Sequence, residues 1–488
     1  MKKHAGIWIS LGAAAVLTLG LTFTALAATE GWVSEDGQWK YKDSSGNYVT
    51  NTWKTSGGEY FYLNSSGVMA TNSWIDDTYY VNERGARVQN SWIHLTETVD
   101  GKEAGWYFVN SSGKLVTDKW ETINNMRYSF DEEGKMRTGW YFEDDDIYYL
   151  GGEDQGYAKT GWKCLAWDED NEPEEGDISD SYSSASEDIK WFYFKENGKA
   201  EKSDSGEYES ATINGNKYYF DENGVMMSGW VAVNEEEDGD STGISKFVYL
   251  GDENSGTMAK SKWLELDEHP GDSDDSDEIN TDDNDEAPEE GDSQWYYFES
   301  DGTPAYLSSK ATSMSGATTK VDGSSYFFNQ YGCMQTGLLK ITTSDGKGLV
   351  GYFGDSDSNG KMYTGKRSGV HVDGDTYTYY FTESGSNKGA GYSGEKNDYL
   401  YYEGRQLEAD SGSDYQVYEV DGKLYLLNES GKVQTSSKCY KVDGDYTYEI
   451  SGGKLYWIND DKGRQGEVTS SDAENIYEVE YEKEYDLG

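Results

Sequence analysis

The chain has 488 residues and a formal charge of −51, from 92 acidic and 41 basic side chains. That field excludes nucleic acid, anionic lipid and bare polyanions as partners and favours cations, either Ca²⁺ or organic ammonium groups. Only 35% of the residues are hydrophobic, yet 15% are aromatic, with 42 Tyr and 16 Trp. This excludes a thick aliphatic core and requires one built from rings that each carry a polar handle.

Residues 1–27 read as a secretory signal. Lys2 and Lys3 precede an apolar run from Ala5 to Phe23, and Ala25-Leu26-Ala27 forms a small-x-small cleavage site. The mature chain is expected to start at Ala28 and to have no membrane contact after signal removal, because no later stretch approaches the roughly 20 apolar residues of a span. At the far end Tyr485-Asp486-Leu487-Gly488 offers neither a hydrophobic tail nor a sorting signal. Any attachment to a surface is therefore expected to be non-covalent.

From Trp32 onward the chain repeats itself. Tyr60 to Trp74 reads Y-F-Y-L-N-S-S-G-V-M-A-T-N-S-W, and the frame returns from Trp106 to Trp120, from Tyr128 to Trp140 and from Tyr218 to Trp230. Trp32, Trp53 and Trp74 stand 21 residues apart. Each copy is predicted to be a β-hairpin, with a Trp-initiated strand, a tight polar turn and an alternating aromatic strand such as Tyr60-Phe61-Tyr62-Leu63. Alternation puts Tyr60 and Tyr62 on one face and Phe61 and Leu63 on the other. A lone hairpin is marginal in water, so the copies must stack on one another. The expected fold is all-β, a repeat β-solenoid of stacked hairpins of about 20 residues each.

Trp-rich copies fill residues 28–300. Two acidic inserts, 168–188 and 267–292, fall between the strands of single hairpins, flanked by Trp162 and Trp191 and by Trp263 and Trp295. Their like charge and lack of apolar residues predict disorder, with Ca²⁺ capture as the sharper alternative. Residues 301–488 hold degenerate, Tyr-rich copies without the opening Trp, ending in an acidic segment. Cys164, Cys333 and Cys439 are odd in number and far apart, hence no disulfide framework. Asp355, Asp357, Asn359 and Gly360 match the start of a calcium loop, but its bidentate twelfth position is Lys366, so no metal is expected there. No phosphate loop, nucleophile elbow or zinc-protease motif occurs, and no domain-sized segment is left for a hydrolase. A non-enzymatic protein without a cofactor is expected.

Aligned on the central Gly, one position varies. The residue seven before it is Trp39, Tyr60, Trp106, Trp191 or Trp295 in some copies and Thr78, Arg127 or Lys217 in others. Folding therefore does not require a ring there. With the opening Trps, the candidate clusters are Trp32/Trp39/Trp53, Trp53/Tyr60/Trp74 and Trp92/Trp106/Trp120. Three converging rings can cage a quaternary ammonium or stack on a sugar, and they can equally be the core between repeats.

These copies closely resemble the choline-binding or cell-wall-binding repeats of Gram-positive bacteria, with relatives in glucan-binding domains and clostridial toxin repeats. The resemblance covers residues 31–300 well and 301–466 loosely. It implies a solenoid that holds choline of teichoic acid between consecutive repeats, in a cage of three aromatics with a nearby Met. Carried over, the ligand-binding residues are Trp32, Trp53, Trp74, Trp92 and Trp120, with Trp39, Tyr60 and Trp106 from the second strands and Met69 as the Met. Copies with Thr78, Arg127, Ile147 or Lys217 depart from the pattern, and Arg127 or Lys217 beside a site would repel the cation. The expected partner is a cell-wall polymer bound by a secreted protein at the bacterial surface. A glucan or host glycan, or a structural scaffold with closed cores, are the alternatives.

Overall fold

The computed structural model describes residues 30–167, 178–179, 189–204, 208–270, 287–288, 291–354, 359–372, 374–474 and 479–487. The expected signal, most of both acidic inserts and Asp355 and Asp357 lie outside them. Among the described residues there is no α-helix; they form mainly antiparallel hairpins and turns, with single 3-10 turns at Ile244–Lys246 and Ser470–Asp472. It divides into two compact units, one ending at Glu201 and the other starting at Lys202. The sequence-level boundary near residue 300 falls inside the second unit.

Local chemistry explains the hairpins. The two residues that join the strands take positive φ together at Asp36-Gly37 (50° and 79°), Asn124-Asn125 (51° and 65°) and Asn214-Gly215 (51° and 87°). This is the turn whose twist matches that of the strands, and Asn, Asp and Gly tolerate it. The opening Trp then lies directly across from a ring, as in Trp53 with Tyr62 and Trp263 with Tyr297. Phe61 and Leu63 are buried at 2% and 0% exposure while Tyr60 is 39% exposed, so the expected alternation holds. Both inserts interrupt hairpins as expected: Gly161–Ala166 pairs with Ile189–Phe194, and Lys262–Leu266 pairs with Gln294–Phe298.

The second strand runs into a polar turn that sets up the next hairpin. At Asn64-Ser65-Ser66-Gly67 the Asn64 Oδ1 accepts from the Ser66 and Val68 amides, both at 3.0 Å. In the next copy Gly85 has φ +77°, and a Cβ on it would lie 2.7 Å from the Met69 side chain. Only Gly meets both conditions.

A backbone hydrogen bond then stitches consecutive copies. The amide two residues after the central Gly donates to the carbonyl of the variable position in the copy before: Met69 to Trp39, Arg87 to Tyr60, Leu115 to Thr78, Met136 to Trp106, Ala158 to Arg127 and Ala200 to Ile147, at 2.7–2.8 Å. Met258 does the same to Lys217 at 3.0 Å in the second unit. The fold therefore uses the carbonyl of the variable position and leaves its side chain free to change.

Past residue 360 the two-stranded pattern gives way to larger sheets. One has five strands, spanning Gly365–Val372, Asp375–Phe381, Gly394–Lys396, Tyr399–Tyr402 and Arg405–Gln406, and another has four between Cys439 and Glu467. The terminal strand Lys483–Asp486 returns to pair in parallel with Leu338–Thr342. Its Tyr485 is 2% exposed, with its ring 4.8 Å from that of Phe327.

The base of the second acidic insert is built into the core. His269 is 3% exposed; its Nδ1 lies 2.7 Å from the Tyr296 hydroxyl and its Nε2 2.8 Å from the Asp292 carbonyl. The Glu268 carbonyl accepts from the Trp230 indole at 2.9 Å. The nearby Cys333 thiol is buried, and burial pushes its pKa up to about 12, as expected of a packing residue rather than a reactive one. Deleting 271–286 is therefore expected to leave the thermal midpoint nearly unchanged, since loop entropy depends weakly on length. His269→Ala is expected to cost about 1–3 kcal/mol by stranding buried polar partners. Chemical denaturation of both variants checks this, and equal behaviour would show that the histidine is not an anchor.

Candidate aromatic ligand site

Most opening Trps sit between the ring opposite them in their own hairpin and a ring from the following hairpin; Trp120, opposite Ser129, is an exception. Trp32 meets Tyr41 at 5.4 Å and Phe61 at 5.5 Å between ring centroids. Trp53 meets Tyr62 at 5.2 Å and Tyr79 at 5.5 Å. The ring that reaches back is thus the one six residues before the next central Gly, adjacent to the variable position. The stitch explains this: bonding the next copy to the variable carbonyl fixes which ring crosses over.

Two copies share one geometry with three rings. In the first unit Trp92 lies 6.2 Å from Trp106 and 4.8 Å from Tyr128, at 89° and 65°. In the second unit Trp263 lies 6.5 Å from Trp295 and 4.8 Å from Tyr326, at 69° and 66°. All six rings are only partly buried. A Met follows in each next copy: Met136 donates its amide to the Trp106 carbonyl, and the strand Met334–Gln335 neighbours Gln294–Phe298, which carries Trp295. His94 stacks on Trp106 with centroids 4.4 Å apart and planes at 13°, and Asp154 accepts from the Trp106 indole at 3.3 Å. Burial, and the neighbouring Tyr157, hold the Tyr128 phenol above its usual pKa, which keeps it neutral. Orthogonal neutral rings with a carboxylate beside them suit a desolvated organic cation.

Several other copies are filled or closed. The Arg87 guanidinium lies 4.0 Å over Tyr60, 5.3 Å from Tyr79 and 5.7 Å from Trp53. Arg127 covers Trp120 at 4.1 Å and donates to the Asn197 carbonyl at 2.7 Å. It occupies the space beside Trp120 itself, which goes further than repelling an incoming cation. Lys217 lies 4.6 Å over Tyr219 and donates to its hydroxyl. Trp140 is fully buried among Tyr149, Trp167 and Phe192.

Of the residues singled out from sequence, Trp92 and Trp106 come together, as do Trp53 and Tyr60 through the shared Arg87. Trp39 is half-buried opposite Ser34, with its carbonyl bonded to Met69. Trp74 is 6% exposed and packs on Tyr80 and Tyr107. Trp120 packs on Tyr141 and Tyr148. Met69 packs beneath Gly85 and lines an open groove of about 460 Å³ with Tyr62, Asn64 and Trp74. Sequence reasoning missed Tyr79, Tyr128, Tyr326, Met136 and Met334. Their signal was present as an aromatic at the residue after the variable one and a Met two after the following Gly.

Family models match within the chain. The choline-binding repeat matches residues 47–87, 68–114 and, in a second model, 209–263. The cell wall binding repeat matches 190–200 and 289–303. No curated protein sequence matches the chain. Among solved structures, choline-binding protein F of Streptococcus pneumoniae, determined with a peptidoglycan analogue, is 20% identical over 72% of this chain and 98% of its own, with TM-score 0.37. The modular autolysin LytC of S. pneumoniae is 19% identical over 64% of this chain, with TM-score 0.36. Only 55% of that autolysin's length is spanned. CbpJ of S. pneumoniae is 18% identical over 83% of this chain and 100% of its own, with TM-score 0.27. By its matched segments, the chain carries repeats of the choline-binding and cell-wall-binding family.

Proposed function

We propose that this is a secreted, non-catalytic protein held non-covalently at the bacterial surface, whose three-ring cages bind the quaternary ammonium groups of a choline-bearing wall polymer. The observation that carries the reading is the recurrence of one partly exposed arrangement, Trp92/Trp106/Tyr128 and Trp263/Trp295/Tyr326, at matching separations in separate units. Three rings around a desolvated cation contribute about 2 kcal/mol or more. A charge of −51 draws such a cation in and keeps the chain off bare polyanions. The stitch from each hairpin to the one before supports a solenoid in which every ligand site lies between consecutive copies. Choline-binding repeat domains are binding modules, which supports reading the chain as non-catalytic.

Free choline is expected to elute the protein from a tertiary-amine resin, whereas a glucan column should let it pass. Retention on glucan that choline does not relieve would transfer the assignment to carbohydrate binding.

A further inference from the structure

The Trp53/Tyr60/Tyr79 cluster has the same three walls as the two open cages but contains a cation of its own. Arg87 stands two residues after Gly85, in the slot that Met136 and Met334 occupy after Gly134 and Gly332. Like those methionines it packs under the next turn: a Cβ on Gly113 would lie 3.0 Å from the Arg87 Nε, as one on Gly360 would lie 2.6 Å from the Met334 sulfur. The guanidinium is 4.0 Å over Tyr60, the most exposed ring of the three. Among the described residues its buried Nε has no hydrogen-bond partner. A buried charged donor without such a partner is costly. What compensates it here is the set of three ring faces, which interact with a guanidinium as they would with a ligand ammonium.

We infer that Arg87 is a resident ligand: it plugs a complete ammonium cage, so the Trp53 site is latent and opens to a quaternary ammonium when the side chain is replaced by the Met found in the open copies. The inference rests on the choline reading above and deepens it, because it makes one residue the determinant of how many sites the chain presents. Arg127 does not plug in the same way. It takes the variable position itself and removes a wall, so shortening it leaves two rings and no cage.

The test counts choline equivalents on the full-length protein by isothermal titration calorimetry. Arg87→Met and Arg87→Ala are expected to gain one equivalent, Arg87→Lys none and Arg127→Met none. A second readout uses the wild type alone: in nitrogen-edited NMR the Trp53 indole should stay fixed during a choline titration that shifts Trp92 and Trp106. No gain in a folded Arg87→Met or Arg87→Ala overturns the inference, and so does a Trp53 response in the wild type, which also decides the matter if neither variant folds. Absence of choline binding by the wild type would defeat the proposed function, yet a gained equivalent in Arg87→Met would still establish the plug.

Discussion

Trp106→Ala is expected to weaken choline at its site by roughly thirty-fold, the equivalent of about 2 kcal/mol, while Tyr352→Ala leaves binding intact and removes about 3–5 kcal/mol of stability. The contrast follows from where each ring lies. Trp106 is half-buried at the variable position, where the backbone stitch uses only its carbonyl, so truncation takes away a cage wall and the His94 stacking contact but no strand pairing. Tyr352 is 1% exposed, stacked on Phe381 at 6.3 Å and beside Tyr363 at 5.2 Å, inside a cluster with Leu338, Val350 and Tyr379. A loss of that size lowers the thermal midpoint by roughly 10 °C for a unit of this length. Circular dichroism melts alongside choline titrations separate the two effects. Equal loss of binding in the two variants would remove the case for localised cages.

The hairpins were legible because their determinants are local. Asn124-Asn125 and Asn214-Gly215 announce their turns, Phe61 and Leu63 announce the buried face, and the Gly at Gly85 marks the close approach of Met69. The third ring of each cluster was not legible, because it depends on how one hairpin registers against the next. That register is set by a backbone bond, such as Met136 to Trp106, that leaves no trace in side-chain identity. Sequence reasoning therefore placed the next opening Trp in each cluster, whereas the rings that cross over are Tyr79, Tyr128 and Tyr326. Arg127 reads as a repulsive neighbour, but in the structure it is itself the cation over Trp120. Least visible were the long-range pieces. His269 sits at the mouth of an acidic run that looks dispensable, and the strand Lys483–Asp486 has one apolar-faced residue, Tyr485, to indicate that it closes on a hairpin about 140 residues earlier.

Fragments cut at the unit boundary are each expected to bind wall material, whereas a cut at residue 300 is expected to leave binding in the N-terminal fragment alone. The expectation from sequence alone was that 31–300 would hold every cage and 301–488 would flow through. In the structure the Trp263 arrangement straddles that cut, since Tyr326 and Phe328 reach back to Trp263 at 4.8 and 5.6 Å, and Tyr331 and Cys333 complete the core around Tyr296. Residues 28–201 keep Trp92, Trp106 and Tyr128 together, and residues 202–488 keep Trp263, Trp295 and Tyr326 together. Each fragment should be retained on choline resin, with Trp106→Ala releasing the first and Trp295→Ala the second. Each should also hold purified wall about 10²–10⁴ more weakly than the full chain, because multivalent attachment to one polymer is lost. Residues 301–488 alone should still flow through, because their rings are paired with internal cations such as Arg405 over Tyr377 at 3.9 Å and Arg464 over Tyr456 at 4.2 Å. Retention of 301–488, or passage of a folded 202–488, would mean that the three-ring arrangement at Trp263 is core packing and that binding resides elsewhere.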